Sequence, residues 1–376
     1  MHSIWNIFIF CSSRKLVTYN DGLFKSIKPS KLAPTHKHPI AGRKYLPGSD
    51  GDGIPAFVAN PREGLTFALK AQQADRFTVA EWAGHCRNLL NEKLLEYGVV
   101  LFRGLPLREG KDFSTFTRNL GYTPMNYSGG TGNRPLFDEK ATVYISTLDP
   151  KEFTIEPHNE MACSTVHPKK VAFYCDLEPA EDCGGLTTIT RNSEVFAKLD
   201  PKVVQKLEEK QVRYSRYLPS SSKNTQYVSW QSSFYTNDTK EVEKFLEKAG
   251  FSYKWQTDGS LLYWYSLPPF VYHPQTGKKV WFTQPDSHHS SYFKASPMFD
   301  GIKLENDSLY PAHATYGDGT EIEPEVIQHI RATNWQCTVG FQWRTGDVAV
   351  VDNLAVMHAR LSFTGKRRIL SFLTSD

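Results

Sequence analysis

The sequence predicts a mainly β fold with α decoration, an antiparallel double-sheet barrel. Three observations carry this. Runs rich in β-branched and aromatic residues fall in the middle and at the end of the chain, with amphipathic helical segments between them. Aromatic residues make up 13% of the chain, which suits a β-rich core around a deep pocket. A chain of 376 residues can also bury a large core, as one elaborate domain or two ordinary ones.

Residues 1–50 carry Pro29, Pro34, Pro39 and Pro47 among polar residues and show no sustained period. They are expected to form a poorly structured tail, with a globular domain over 51–376. The apolar run of residues 4–11 is followed, not preceded, by Arg14 and Lys15, and it is too short to span a bilayer. The six cysteines show no CxxC pairing, a pattern of reduced thiols in an intracellular protein, so a cytoplasmic location is expected. With 44 basic against 40 acidic residues and no dense basic run interleaved with aromatics, neither nucleic acid nor a membrane is an expected partner. Oligomeric state is not legible.

Thr78 to Glu81 has capping-box spacing, and Trp82, Cys86, Leu89, Leu90 and Leu94 follow at helical intervals until Gly98. A short buried strand is expected over 99–102 and a second helix over 112–120. Gly129, Gly130 and Gly132 mark a flexible loop before Arg134. Strands are expected over 141–146, 170–177 and 183–190, and helices over 193–210 and from Asp238 to Gly250. Aromatic strand material follows at 261–265 and 280–283, then a small helix over 324–330. Three strands, over 337–343, 347–351 and 368–373, close the chain.

The chemistry centres on the segment EPHNEM, residues 156–161. His158 and Glu160 are two residues apart, and on an extended strand such positions point to one face. An imidazole and a carboxylate are two-thirds of the 2-His-1-carboxylate set that holds non-haem Fe(II) and leaves positions open. A His-x-acid pair is common by chance, so the third ligand decides. His358 is the candidate, because it follows a strand, a turn and a second strand, at an exposed polar end suited to the mouth of a barrel. Taken alone it reads more readily as a buried, hydrogen-bonded core histidine. Arg367 and Arg368 open the next strand, where one could grip a carboxylate while the other is solvated. His288 and His289 are adjacent, face opposite sides of a strand, and are expected at a pocket rim or on the surface. The aromatic group Tyr263, Trp264, Tyr265, Phe270 and Tyr272 could line a cavity or pack as core.

Over about residues 90–376 the sequence resembles the taurine-dioxygenase (TauD/TfdA) superfamily of Fe(II)/2-oxoglutarate oxygenases, in its clavaminate-synthase-like branch. The matching motifs are GVVLFRG (98–104), YSGG…R (127–134), HNE (158–160), GGLT (184–187), WRTGDVAVVDN (343–353), HAR (358–360) and GKRRIL (365–370). The resemblance implies a double-stranded β-helix, or jelly roll, with His158, Glu160 and His358 as iron ligands. It implies that Arg368, assisted by Thr187, binds the distal carboxylate of 2-oxoglutarate, and that Arg134 borders the substrate cavity. The implied activity is oxidation of an unactivated C–H bond of a small molecule, using Fe(II), 2-oxoglutarate and O2 and releasing succinate and CO2. Glu160 stands where many members carry Asp, which favours the clavaminate-synthase-like branch. Phe372, four past Arg368, stands where the taurine enzymes place a sulfonate-binding arginine, so a sulfonate substrate is not expected. A cupin-like metal hydrolase or isomerase, and a non-catalytic jelly-roll binding module, are the competing classes. A carboxylate-gripping Arg368 separates the oxygenase from the hydrolase, and retention of the triad, Thr187 and Arg368 together argues against the binding module.

Overall fold

The computed structural model describes residues 19–40, 53–127, 134–223, 228–296 and 299–376. Among these residues the fold is mixed α/β, with one eight-stranded sheet, two four-stranded sheets and a two-stranded ribbon. Strand pairing is antiparallel as expected, except where Phe67–Ala71 runs parallel to Val99–Arg103.

The large sheet owes its position to strands buried on both faces. In Val99–Arg103, Val99 and Leu101 face one apolar cluster while Val100 and Phe102 face another. Lys170–Leu177, Val348–Asp352 and Arg368–Thr374 divide in the same way, and this explains their near-continuous apolar runs. One face is covered by two helices, Val79–Tyr97 and Gly110–Asn119, through Trp82, Leu90, Phe113 and Phe116. The first of these has the expected capping box at Thr78 and Glu81, and it stops at Gly98, whose φ of 75° is left-handed. The other face packs against the four-stranded sheet of Thr338–Phe341, Thr187–Arg191, Val356–Arg360 and Ile155–His158, with Phe173, Ile189, Phe341 and Val356 in the core between them.

Part of the N-terminal segment expected as a loose tail is built into this framework. Phe24–Ser26 adds an edge strand to Phe67–Ala71, and Phe24 and Leu32 are buried. Two apolar anchors fix a segment whose prolines and polar residues read as tail. Residues 1–18 and 41–50 lie outside the described residues, as do the three loop glycines before Arg134. Among the strands that were not legible, Val212–Leu218 and Ala312–Tyr316 pair with each other in the other four-stranded sheet beside Leu261–Leu267. The expected small helix after Pro324 runs on to Gln336. No helix among the described residues is long and apolar enough to cross a membrane.

Candidate metal centre

His158 and His358 sit directly opposite each other on neighbouring antiparallel strands, with ring centroids 4.5 Å apart. His358 is therefore inside a fully buried strand and not at an exposed polar end. Glu160 reaches the same point by a different route from the one expected. The strand Ile155–His158 ends at the histidine, and Glu160 lies in the turn that follows, with Met161 left-handed at φ 58°. Three buried asparagines hold this turn. Asn353 accepts the Glu160 N–H at 2.6 Å and donates to the Glu160 carbonyl at 3.0 Å. Asn159 donates to the Asn353 carbonyl at 2.6 Å, and Asn192 donates to Asn159 at 3.2 Å.

One donor atom each from His158, Glu160 and His358 lies within 4.8 Å of the others, with His358 Nε2 3.6 Å from Glu160 Oε2. His158 Nδ1 is 2.8 Å from the Glu156 carbonyl, which fixes the proton on Nδ1 and turns the Nε2 lone pair inward. Burial, and after it His358, brings the His158 imidazole down to about 4, so it is neutral at physiological pH. Burial opposes ionisation of Glu160, but Arg134 and then His358 outweigh it and hold the carboxyl well below its usual range. A neutral imidazole and an ionised carboxylate are the protonation states a cation requires. Two nitrogens and one oxygen on one side also match the facial set selected by Fe(II), so the residues present fit that metal.

These donors line a cavity of about 200 Å³. Thr187 and Arg367 line it too. Thr187 Oγ1 accepts from Trp343 Nε1 at 2.7 Å and from Arg367 Nη2 at 3.1 Å, so its own hydrogen is free to be donated onward. Thr187 is positioned by the Gly184-Gly185 turn. Both glycines have positive φ, and a Cβ on Gly184 would come 2.5 Å from the Ser362 carbonyl oxygen. Arg367 Nε donates to the Gly185 carbonyl at 2.9 Å. No carboxylate among the described residues pairs with Arg367, and burial, then Arg360, brings its guanidinium down to about 9.

Arg368 does not face the cavity, contrary to expectation. Its side chain is 54% exposed and is paired with Asp176 on the far side of the strand. Arg367 and Ile369 line the cavity, and Arg368 between them faces outward. Arg134 does line the cavity, and its Nη2 lies 2.5 Å from Glu160 Oε2 while its guanidinium covers the Tyr127 ring. None of the aromatic group from Tyr263 to Tyr272 lines this cavity. Tyr263 packs in a separate apolar cluster, and Tyr272 is exposed. His288 and His289 are both buried, at the ends of short helices rather than on a strand, and His288 lines the cavity.

A second trio, His289, His313 and Glu321, also brings donor atoms within 4.8 Å. Its hydrogen bonds argue against a metal. His289 Nδ1 accepts the Ser291 N–H and His313 Nδ1 accepts the Ser290 N–H, both at 3.2 Å. The neutral rings then carry their protons on Nε2, and His313 donates its own to Glu321 at 3.0 Å. A metal-bound imidazole needs the reverse arrangement.

Residues 62–373 match the profile of the "Taurine catabolism dioxygenase TauD, TfdA family". The dapdiamide synthesis protein DdaC of Enterobacter agglomerans is 32% identical over 74% of this chain and 83% of its own length. A clavaminate synthase-like protein of Arabidopsis thaliana is 30% identical over 89% of this chain and 97% of its own. Among solved structures, PvcB of Pseudomonas aeruginosa is similar over 84% of this chain and 87% of its own, at TM-score 0.46 and 14% identity. The chain belongs to the TauD/TfdA family. It is an oxidoreductase of the 2-oxoglutarate-dependent dioxygenase class, working with Fe(II), 2-oxoglutarate and O2.

Proposed function

We propose that this dioxygenase oxidises an unactivated C–H bond of a small organic molecule, by hydroxylation or by desaturation or ring closure, with release of succinate and CO2. In this reading His158, Glu160 and His358 hold the iron. With 2-oxoglutarate bound, the metal supplies O2 activation at its open positions. The carboxylate position is filled by Glu160, so no position is vacated for a halide and halogenation is not the outcome.

The rest of the chemistry is placement. Arg367, in place of Arg368, grips the distal carboxylate of 2-oxoglutarate, and Thr187 gives its hydroxyl hydrogen to the same group. Arg360 steadies the neighbouring wall by donating to the carbonyls of Asp149, Pro150 and Phe153. Arg134 borders the substrate side and partners Glu160. Residues 51–376 form the oxygenase domain, and the large sheet with the histidine-bearing sheet make up its double-stranded β-helix.

The observation that carries this reading is a partly buried guanidinium without a carboxylate partner among the described residues, in the same cavity as the three donors. Burying such a charge is unfavourable until an anion meets it. Calorimetry under nitrogen tests the reading. Mn(II)-loaded protein should bind 2-oxoglutarate, and metal-free protein should bind it at least tenfold more weakly. Equal affinity with and without metal would contradict a chelated cosubstrate.

A further inference from the structure

The motif WRTGD, residues 343–347, and the arginine of LFRG, residues 101–104, form a brace behind the cavity wall. Arg103 Nε and Nη2 donate to the two carboxylate oxygens of Asp347 at 2.9 and 2.7 Å. The same Nη2 donates to the Gln342 carbonyl at 3.1 Å, and Asp347 Oδ2 accepts the Arg344 N–H at 2.9 Å. Gln342 and Arg344 are thus both tied to the brace, and Trp343 between them is fully buried. Its ring meets Phe341 edge-on at 4.8 Å, and Phe341 lies opposite Thr187 on the neighbouring strand.

What the brace holds in place is one N–H. Trp343 Nε1 donates to Thr187 Oγ1 at 2.7 Å, and Arg367 Nη2 donates to the same oxygen at 3.1 Å. Indole and guanidinium nitrogens donate and do not accept, so neither direction depends on a tautomer or an amide orientation. A hydroxyl oxygen has two lone pairs and one hydrogen. With both lone pairs taken, the Thr187 hydrogen is confined to the remaining direction, and no group among the described residues accepts it. Thr187 and Arg367 both line the cavity. Without the indole N–H, the hydroxyl is free to turn and offer a lone pair instead.

We infer that Trp343 is a positioning residue for the cosubstrate. Its N–H fixes the Thr187 hydroxyl as a donor, so the wall beside Arg367 presents donors only and selects the distal carboxylate of 2-oxoglutarate. The inference rests on the roles proposed above for Arg367 and Thr187. A carboxylate only accepts, and so it satisfies both groups at once.

The test is calorimetric titration of the Mn(II)-loaded full chain under nitrogen. Trp343→Phe keeps an aromatic ring and removes the N–H. It should weaken 2-oxoglutarate binding about three- to tenfold, the effect of one hydrogen bond. 2-Oxopentanoate ends in a methyl group in place of that carboxylate, and it should bind wild type and variant within about twofold of each other. Thr187→Val removes the hydroxyl, and in that background Trp343→Phe should cost no further affinity. An indole that served only to pack the core would cost the same for both ligands and in both backgrounds. Either of those results overturns the inference alone, as does unchanged 2-oxoglutarate binding by Trp343→Phe. Should that variant not fold, benzothienylalanine at position 343 keeps the ring shape with sulfur in place of N–H, and the same outcomes apply. Wild-type affinity in Thr187→Val overturns the role of Thr187 and the inference with it. Failure of the Mn(II)-loaded wild type to bind 2-oxoglutarate overturns the reading of the whole cavity.

Discussion

Arg367 Nη2 donates to Thr187 Oγ1 at 3.1 Å inside the cavity, while the next residue, Arg368, pairs with Asp176 outside it. One step along the chain separates a partly buried guanidinium in the cavity from a half-exposed one outside it. Arg367→Ala should weaken 2-oxoglutarate binding by about 30-fold or more, as expected when one member of a buried charge pair is removed. Arg368→Ala should change it by no more than about twofold. Calorimetric titration of the Mn(II)-loaded variants checks both.

The choice between these arginines shows where sequence reasoning stops. The convergence of His158, Glu160 and His358 was legible because HNE and HAR are local motifs with restricted chemistry. The orientation of the last strand was not. Residues 369–374 are buried on both faces, so no alternation marks the inward side, and the register shifts between Arg368 and Ile369. The turn carrying Glu160 was hidden for a related reason. Asn353, which holds it, is 193 residues away, and no local signal announces that contact. A faint signal did exist for the missed strand Val212–Leu218, where Val212, Tyr214 and Leu218 alternate, but Arg216 interrupts the pattern.

Asn353 gives a second prediction. Its side chain bonds both the N–H and the carbonyl of Glu160, and also the Pro168 carbonyl at 2.8 Å. Asn353→Ala should free the Glu160 turn and lower metal affinity by about 10- to 100-fold, as loss of an outer partner of a ligand does elsewhere. Titration of Mn(II) followed by electron paramagnetic resonance measures this, and far-ultraviolet circular dichroism checks that the fold persists.

Asp286 gives a third. Burial, then Glu156, pushes its carboxyl up to about 7, against the pull of Arg331 and Asn334. The folded chain therefore holds a proton that the unfolded chain has lost between about pH 4 and 7, and this contribution to stability falls as pH rises through that window. Asp286→Asn keeps an acceptor for Asn334 and removes the titration. The variant should gain on the wild type from pH 4 to 7, by on the order of a few kcal/mol at most. Urea unfolding of both proteins across that range measures the difference, and a constant difference would contradict the shift.

The most direct test of the account is succinate formation without added substrate. Protein supplied with Fe(II), 2-oxoglutarate and O2 should release succinate slowly, and His158→Ala should release about a hundredfold less or none, because an imidazole that holds the metal has been removed. Succinate at the same rate from wild type and His158→Ala, or from neither, would contradict the placement of the iron at His158, Glu160 and His358.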